Sequence, residues 1–327
     1  MTGQIRAIPD APSAVMTPIT AIKDVVRRLF CLMLFTLCLF GGVRAHAQSE
    51  TTNDPLVVRI PMDTPSDFCR GEVTWEAHRE YHIDLLRLAL RLSGENATLE
   101  PVCMDYPTED RRIPMLEAAD QFNTVFFGTN AEREERLLAV YVPIYLGTTG
   151  LRLFMLHKDL KEPFSKVETI DDLRKLSMGQ GLGWPDNEIL TDNGFDVVSG
   201  RYRTLHRMLD ARRFDLYPRA YWQIVGEWNW MKWEAPGIEI AEKTALYYPQ
   251  PIYFFVSPKN PDLRDIIETG LKRAFSNGMM LDLLKTHRDT APSFSQIDLH
   301  DLKIMRIDNK HLSDRSRKAM AQYSLFD

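Results

Sequence analysis

The feature that most constrains the fold is an alternation of short apolar runs and amphipathic segments between residues 55 and 127. Strands are expected at Pro55–Pro61, Ala97–Cys103 and Thr124–Phe127, because each is a short run rich in β-branched or aromatic residues. Helices are expected between them, at Trp75–Ser93 and Arg112–Ala119. This β-α-β-α-β order is typical of a mainly parallel sheet covered by helices, so we place the chain in the α/β class.

A second alternating series begins after Gly147–Gly150 and runs to about residue 255. A chain of 327 residues is longer than one hydrophobic core usually serves. We therefore expect two lobes with a ligand cleft between them. Lobe 1 comprises residues 54–146 and 256–327, and lobe 2 comprises residues 147–255.

The first 47 residues have the three parts of a secretory signal peptide. Lys23, Arg27 and Arg28 form a basic region, and Leu29–Val43 is an apolar run too short to span a bilayer comfortably. Ala45–Ala47 supplies small residues at the expected cleavage site. We expect cleavage after Ala47 and a mature protein in the periplasm.

Two alternatives at the N-terminus stay open. The apolar run could remain uncut as a membrane anchor, and either Met1 or Met16 could be the start. A lipid anchor on Cys38 fits less well, because the residue directly before it is Leu37 rather than a small one.

The composition argues against nucleic acid as a partner. The whole chain has 40 basic and 45 acidic residues, and residues 1–47 contain five of the basic and two of the acidic ones. The remainder therefore has a formal charge of −8. An acidic chain without a basic stripe does not favour binding to nucleic acid or to an anionic membrane. We expect a soluble monomer.

Two of the four cysteines, Cys69 and Cys103, lie beyond the predicted signal peptide. In an oxidising compartment such a pair is a candidate disulfide. The alternative is two buried thiols, since sequence alone does not place them within bonding distance.

No motif in the chain predicts catalysis or a cofactor. There is no nucleophile elbow of the form GxSxG, no CxxC or HExxH spacing, and the eight histidines are scattered. We expect neither a metal nor a cofactor, and a protein that binds rather than reacts.

Two segments are candidate ligand contacts. Gly179–Trp184 (GQGLGW) is a glycine-rich segment before a helix, where backbone amides could meet an anion; the alternative is a plain tight turn. Thr129 and Arg133 directly follow the strand Thr124–Phe127, at the edge where α/β sheets bind ligands. Arginine can clamp a carboxylate, although the surrounding glutamates are also compatible with a solvated charge run.

Aromatic residues are concentrated between positions 217 and 233, where they could line a cleft. At helical spacing such residues more often pack in a core. They are Tyr217, Tyr221, Trp222, Trp228, Trp230 and Trp233.

The order of these segments resembles the periplasmic solute-binding proteins of family 3, the polar amino-acid-binding class of ABC importers. The resemblance covers about Leu56–Leu284. It rests on the opening strand LVVRIP, the segments TNAEREERLLAVYVPIYLGTTGLRLFML and GQGLGWPDNEILTDNGFDVVSG, the run MLDARRFDLYPRA and the segment YPQPIYFFVSPKNPDLRDIIETGL. That family has the type II periplasmic-binding-protein fold, in which two α/β lobes close on a ligand.

The resemblance also implies ligand contacts. Arg133 stands near the arginine that holds the ligand carboxylate in amino-acid binders, with Arg152 as the substitute candidate, and Thr129 stands near their hydroxyl contact. Gly181, Gly183 and Trp184 match the loop of the second lobe that meets the ligand through its backbone. Phe68 lies where an aromatic ring often stacks on the ligand.

This chain departs from the family at two places. The spacing from Thr129 to Arg133 is one residue shorter than usual. Where amino-acid binders have the carboxylate that receives the ligand ammonium, this chain has Ala220, with Arg219 beside it. Such a cleft should favour an anionic or neutral ligand, unless Arg219 pairs with Asp215 or Glu227.

We therefore expect a periplasmic solute-binding protein that captures a small amino-acid-like or anionic molecule and delivers it to an inner-membrane ABC permease. Alternatives are a ligand sensor for a signalling receptor and, less consistent with the motifs, an enzyme on the same fold.

Overall fold

Two small sheets and one large sheet, all flanked by helices, make up the fold. The computed structural model describes residues 55–105 and 107–326, so the predicted signal peptide lies outside the described residues. The strands are β1 (Leu56–Asp63), β2 (Ala97–Met104), β3 (Thr124–Gly128), β4 (Leu138–Ala139), β5 (Leu151–His157), β6 (Met178–Gly181), β7 (Val197–Gly200), β8 (Leu216–Ala220), β9 (Ile238–Tyr247), β10 (Ile252–Val256) and β11 (Lys303–Arg306).

The helices alternate with these strands along much of the chain. They are α1 (Tyr81–Ser93), α2 (Glu109–Ala118), α3 (Ala131–Arg136), α4 (Lys161–Phe164), α5 (Ile170–Leu173), α6 (Asp186–Asp192), α7 (Tyr202–Asp210), α8 (Ile224–Met231), α9 (Pro261–Ser276), α10 (Met279–Thr286), α11 (Ala291–Gln296) and α12 (Asp314–Tyr323), with short 3-10 helices at Lys158–Leu160 and Leu299–Asp301. Within the described ranges, no helix is both long and apolar enough to span a bilayer.

Lobe 1 is built on the two small sheets. β1 and β2 pair in parallel from Leu56 opposite Ala97 to Asp63 opposite Met104. β10 lies between β3 and β4 and is antiparallel to both. The predicted apolar face of α1, with Ile83, Leu86 and Leu90, is buried.

Helices α1 and α9 pack at very close range in lobe 1. A Cβ atom on Gly270 of α9 would lie 2.5 Å from the carbonyl carbon and 2.8 Å from the Cα of Ala89 on α1. Only glycine permits this approach. α1 then ends at Gly94, whose φ of 80° places it in the left-handed conformation common after a helix.

Lobe 2 is built on a six-stranded sheet with the strand order β11-β9-β5-β8-β6-β7. β5 is antiparallel to β8 and β9, whereas β6 is parallel to β7 and β8. A buried apolar cluster that includes Phe154, Leu216 and Leu246 lies on this sheet. The fold is thus the expected two-lobed α/β class, with more antiparallel pairing than the sequence suggested.

The strand pairing corrects the expected lobe limits at two places. β10 pairs with β3 from Ile252 onward, so the second crossing precedes residue 252 rather than following residue 255. β11 pairs with β9, so residues 303–306 belong to the sheet of lobe 2 although 256–327 was assigned to lobe 1. An apolar run indicates that a strand is buried but does not identify the sheet it joins. The division into separate folding units stays a prediction.

The first crossing between the lobes is held by residues close to the C-terminal end of the described chain. Leu325 donates its backbone N–H to the carbonyl of Leu146 at 3.0 Å. Gly147 has a φ of 78°, and a Cβ there would lie 2.8 Å from the Cβ of Ser324. The chain can make this turn against Ser324 only with glycine at the position.

The loop before α1 is fixed by covalent and aromatic contacts, and α1 begins at Tyr81 rather than at the expected Trp75. Trp75 instead donates its indole N–H to the carbonyl of Leu99 at 3.0 Å. Cys69 and Cys103 form a disulfide across 34 residues of chain. The disulfide ties this loop to β2.

We expect that replacing Cys69 and Cys103 together by serine lowers the free energy of unfolding by about 3–4 kcal/mol, because the open chain gains the entropy of a loop of this length. Chemical denaturation of the oxidised protein and the double variant measures the difference. Reduction of the native protein should give the same loss, and reduction without any effect on the denaturation midpoint would contradict the prediction.

Candidate functional site

A cleft of about 1120 Å³ opens between the two sets of sheets and is large enough to hold a small molecule. Lobe 1 contributes Phe126, Phe127 and Gly128 from the end of β3, together with residues of α2. Lobe 2 contributes residues of the loop after β6, the start of α7 and the segment from β8 to α8. The cleft therefore has walls from both lobes.

The glycine-rich segment behaves as a tight turn at the wall of the cleft. Gly181 and Trp184 line the cleft, but Gly183 is not among its lining residues. The N–H groups of Leu182 and Trp184 donate to the carbonyls of Gly200 and Gly181, at 3.0 and 3.2 Å. Because these amides already have partners within the chain, the turn interpretation fits better than the anion site.

Arg133 lies between the lobes and is not among the described residues that line the cleft, so its expected contact with the ligand stays a prediction. Its guanidinium is 2.6 Å from Glu109 and donates to the carbonyl of Gly128 at 2.6 Å. It also donates to the carbonyl of Gly183 in lobe 2 at 2.8 Å. The ring of Phe127 lies 5.0 Å from the guanidinium carbon. Arg133 is thus a clamp between the lobes: it binds Glu109 and Gly128 of lobe 1 and Gly183 of lobe 2.

Thr129 is fully buried and belongs to a hydroxyl network outside the cleft lining. Its hydroxyl donates to Glu134 at 2.6 Å. The same carboxylate accepts from Ser316 at 2.6 Å and from Tyr141 at 3.1 Å. This network ties the end of β3 to α12 and gives Thr129 a structural role, and its expected contact with the ligand stays a prediction.

Phe68 also lies apart from the cleft lining. Its ring packs against Trp75, with ring centroids 5.3 Å apart, and against His78 at 6.3 Å. The disulfide at the neighbouring Cys69 holds this aromatic group in the loop of lobe 1. Phe68 therefore packs within lobe 1, and its expected contact with the ligand stays a prediction.

Arg152 lines the cleft from β5 and is buried. Its Nη2 is 2.5 Å from Oδ1 of Asp186, which also accepts the hydroxyl of Tyr248 at 2.5 Å. The guanidinium carbon is 5.3 Å from the centre of the Tyr248 ring. A buried carboxylate therefore compensates the charge of Arg152.

Arg219 lines the cleft from β8 and is also buried. Its Nε and Nη2 donate to the two oxygens of Glu227, at 2.6 and 2.7 Å. Burial alone would lower the pKa of Arg219, but the adjacent Glu227 carboxylate raises it above its ordinary value. The sequence leaves open whether Arg219 meets a ligand or pairs with a neighbouring acid, and in the structure it pairs with Glu227. The argument for an anionic ligand therefore loses its main support.

The aromatic residues divide between core and surface. Tyr217 and Tyr221 are buried, and burial raises the pKa of the Tyr221 hydroxyl to about 12. Trp222 lines the cleft, stacks on Tyr145 and donates its indole N–H to Thr149 at 3.3 Å. Trp233 is 83% exposed on the surface of lobe 2.

Several cleft residues escaped the sequence analysis. The sequence predicts Glu227 only as a partner for Arg219, and Asp186 has no signal beyond its place after Pro185. Within the described chain the lining includes six arginines and five carboxylates, so its charges nearly balance. The sequence signal that could have revealed this is the excess of arginine over lysine near the predicted strand ends. The arginines are Arg111, Arg112, Arg152, Arg201, Arg203 and Arg219, and the carboxylates are Asp63, Asp105, Glu109, Asp186 and Glu227.

Comparison with solved structures identifies the fold, whereas no protein-family model and no curated sequence matches the chain. An ancestral arginine-binding protein bound to arginine superposes with a TM-score of 0.51 and 16% identity, over 71% of this chain and 98% of that one. The VFT2 domain of BvgS from Bordetella pertussis, a double mutant, superposes with a TM-score of 0.54 and 18% identity, over 71% of this chain and 93% of that one. A periplasmic binding protein of high arginine specificity from Salmonella typhimurium superposes with a TM-score of 0.50 and 16% identity, over 71% of this chain and 99% of that one. The fold is that of the two-lobed periplasmic amino-acid-binding proteins.

Proposed function

We propose that this protein is a periplasmic solute-binding protein that captures one small molecule in the cleft between its lobes and delivers it to an inner-membrane ABC permease. The observation that carries the proposal is the cleft itself, which is lined from both lobes and bordered by contacts between them. Arg133 reaches Gly183, and Arg203 of lobe 2 reaches Asp63 of lobe 1 at 2.5 Å.

The mechanism follows from the contacts that the ligand makes in the open and in the closed arrangement of the lobes. A ligand that touches both walls gains its second set of contacts only when the lobes are close together. It therefore shifts the population toward the closed arrangement by the difference in its affinity for the two states. No bond of the ligand is made or broken, and the absence of a nucleophile motif from the sequence is consistent with binding without chemistry.

A sensor of the same ligand, coupled to a signalling receptor, is the alternative output of the same binding step. The similarity to the BvgS domain is a likeness of fold, at 18% identity, and does not favour one partner over the other. Deletion of the gene separates the two outputs: loss of ligand uptake supports the permease, whereas unchanged uptake with a lost transcriptional response supports the receptor.

We expect at least one member of a metabolite library to stabilise the mature protein, by about 2.7 kcal/mol at a ligand concentration of about 100 times Kd. Trp184→Ala should abolish this stabilisation, because Trp184 lines the cleft. Trp228→Ala is the matched control: this ring packs outside the cleft lining and donates to the carbonyl of Ile238 at 3.1 Å. Thermal unfolding of the three proteins measures the effect, and equal loss in both variants would contradict the assignment of the cleft.

A further inference from the structure

The buried arginines at the cleft are already paired with carboxylates of the same chain. Arg152 is held by Asp186, Arg219 by Glu227 and, between the lobes, Arg133 by Glu109. In each pair both side chains are at most 13% exposed. Arg112, also buried at the cleft, lies 3.8 Å from Glu109, which it shares with Arg133, and donates to the carbonyl of Phe126 at 3.2 Å. Arg152 and Arg219 are therefore each compensated by a carboxylate of their own, whereas Glu109 serves two arginines.

The Arg219–Glu227 pair is the most completely engaged of the three. Besides the two bonds from Arg219, Glu227 accepts the hydroxyl of Tyr202 at 2.8 Å and the amide of Gln223 at 3.0 Å. The guanidinium of Arg219 lies 4.8 Å from the ring centres of both Trp184 and Tyr217. Four donors and two aromatic rings fix the pair in place.

This pairing works against charged ligands. A ligand carboxylate that takes Arg219 must displace Glu227 and leave that carboxylate buried without its partner, which is costly. A ligand ammonium meets Asp186 and Glu227 as carboxylates whose charge is already compensated, and Asp105 is exposed, so solvent screens its attraction for a cation. Arg111 and Arg201, at the rim of the cleft, are exposed, so water and salt screen their attraction for anions.

The remaining lining suits an uncharged ring. Trp184, Trp222 and Phe126 supply aromatic side chains from both lobes. Thr149, Gln223 and Gln250 supply neutral hydrogen-bonding groups. Aromatic rings provide large apolar contact areas, and neutral polar groups orient hydroxyl or amide substituents.

We propose that the cleft selects an uncharged, ring-bearing ligand with hydroxyl or amide groups, and that Glu227 is the residue that excludes anions by occupying Arg219. The inference rests on the proposed function and adds the class of ligand to it. Amino-acid recognition through an arginine–carboxylate clamp is not available at this pair without breaking it.

Glu227→Gln tests this exclusion directly. The neutral amide keeps the shape of the side chain but leaves the charge of Arg219 uncompensated. We expect succinate binding by the wild-type protein to be too weak to detect in calorimetry, and the variant to bind succinate at least about tenfold more tightly than the detection limit. The gain should vanish when Arg219→Gln is added to Glu227→Gln.

Glu234→Gln is the matched control, because it makes the same chemical change at a surface residue. Glu234 pairs with His206 at 3.0 Å and lies outside the cleft lining. It should leave succinate binding at the wild-type level. If Glu227→Gln does not fold, as judged by circular dichroism, Asp186→Asn applies the same test to Arg152. Equal succinate binding by the wild-type and the folded variant, including no binding by either, overturns the inference.

The charge of the compounds that bind distinguishes a failure of the inferred ligand class from a failure of the proposed binding function. Uncharged ring compounds such as uridine, nicotinamide and glucose represent the expected class, and L-glutamate and L-arginine represent the excluded one. A wild-type protein that binds glutamate or arginine through Arg219 overturns the ligand class and keeps the binding function. A wild-type protein and variants that bind no compound of any charge overturn the function itself.

Discussion

Replacement of Arg133 by alanine should destabilise the protein by about 3 kcal/mol, because Glu109 loses its partner at 2.6 Å and keeps only Arg112, at 3.8 Å. The side chains of Arg133 and Glu109 are only 5% and 13% exposed, so solvent screens their interaction little. The carbonyls of Gly128 and Gly183 lose a donor in the same change. Urea denaturation of the wild-type and variant proteins measures the loss.

A double variant separates the buried charge from the lost packing. Arg133→Met with Glu109→Gln removes both charges and keeps most of the volume, so it should recover much of the stability that Arg133→Ala loses. A surface pair provides the control: Arg136 and Glu117 are 37% and 34% exposed, and Arg136→Ala should cost less than about 1 kcal/mol. Equal losses for Arg133→Ala and Arg136→Ala would show that Arg133 is not a buried clamp.

Gly270→Ala should lower the free energy of unfolding by about 3 kcal/mol or more. The new methyl group would overlap the backbone of Ala89, and neither helix backbone can move away without opening the contact between α1 and α9. In an open site the same substitution stabilises a helix, by about 0.5–1 kcal/mol. The sign of the effect therefore depends on the packing and not on helix propensity.

Gly226→Ala in helix α8 is the matched control, since a Cβ there meets only the carbonyl oxygen of Asp289 at 3.5 Å, an ordinary contact distance. It should be neutral or slightly stabilising. Thermal denaturation of both variants tests the pair, and a Gly270→Ala protein as stable as Gly226→Ala would rule out the close helix contact.

Local patterns predicted the parts of the fold that depend on neighbours in sequence. The buried face of α1 follows from Ile83, Leu86 and Leu90, and its end follows from Gly94, because helical period and the left-handed glycine are local properties. The predicted start of α1 at Trp75 was wrong, since the indole of Trp75 donates to the carbonyl of Leu99 on strand β2. A hydrogen bond between residues 24 positions apart leaves no periodic pattern in the sequence.

The site was less predictable, because its partners are far apart in the chain. Arg133 was placed correctly after β3, but its partners Glu109 and Gly183 are separated from it by 24 and 50 positions. Arg219 and Glu227 are eight positions apart, on a strand and on the following helix, which is not the spacing of a helical ion pair. The resemblance to amino-acid binders identified the fold but not these pairings.

The pairing of β10 with β3 has a consequence for the order in which the chain acquires its structure. Strands β5 to β9 of lobe 2 come from one continuous stretch and only the edge strand β11 follows later, whereas lobe 1 needs β10 and α9, more than a hundred positions after β3. During synthesis from the N-terminus, the apolar edge of β3 has no β10 to pair with until residues 252–256 emerge. Contacts of such long sequence separation form slowly, so lobe 1 should be the part that depends most on protection from aggregation.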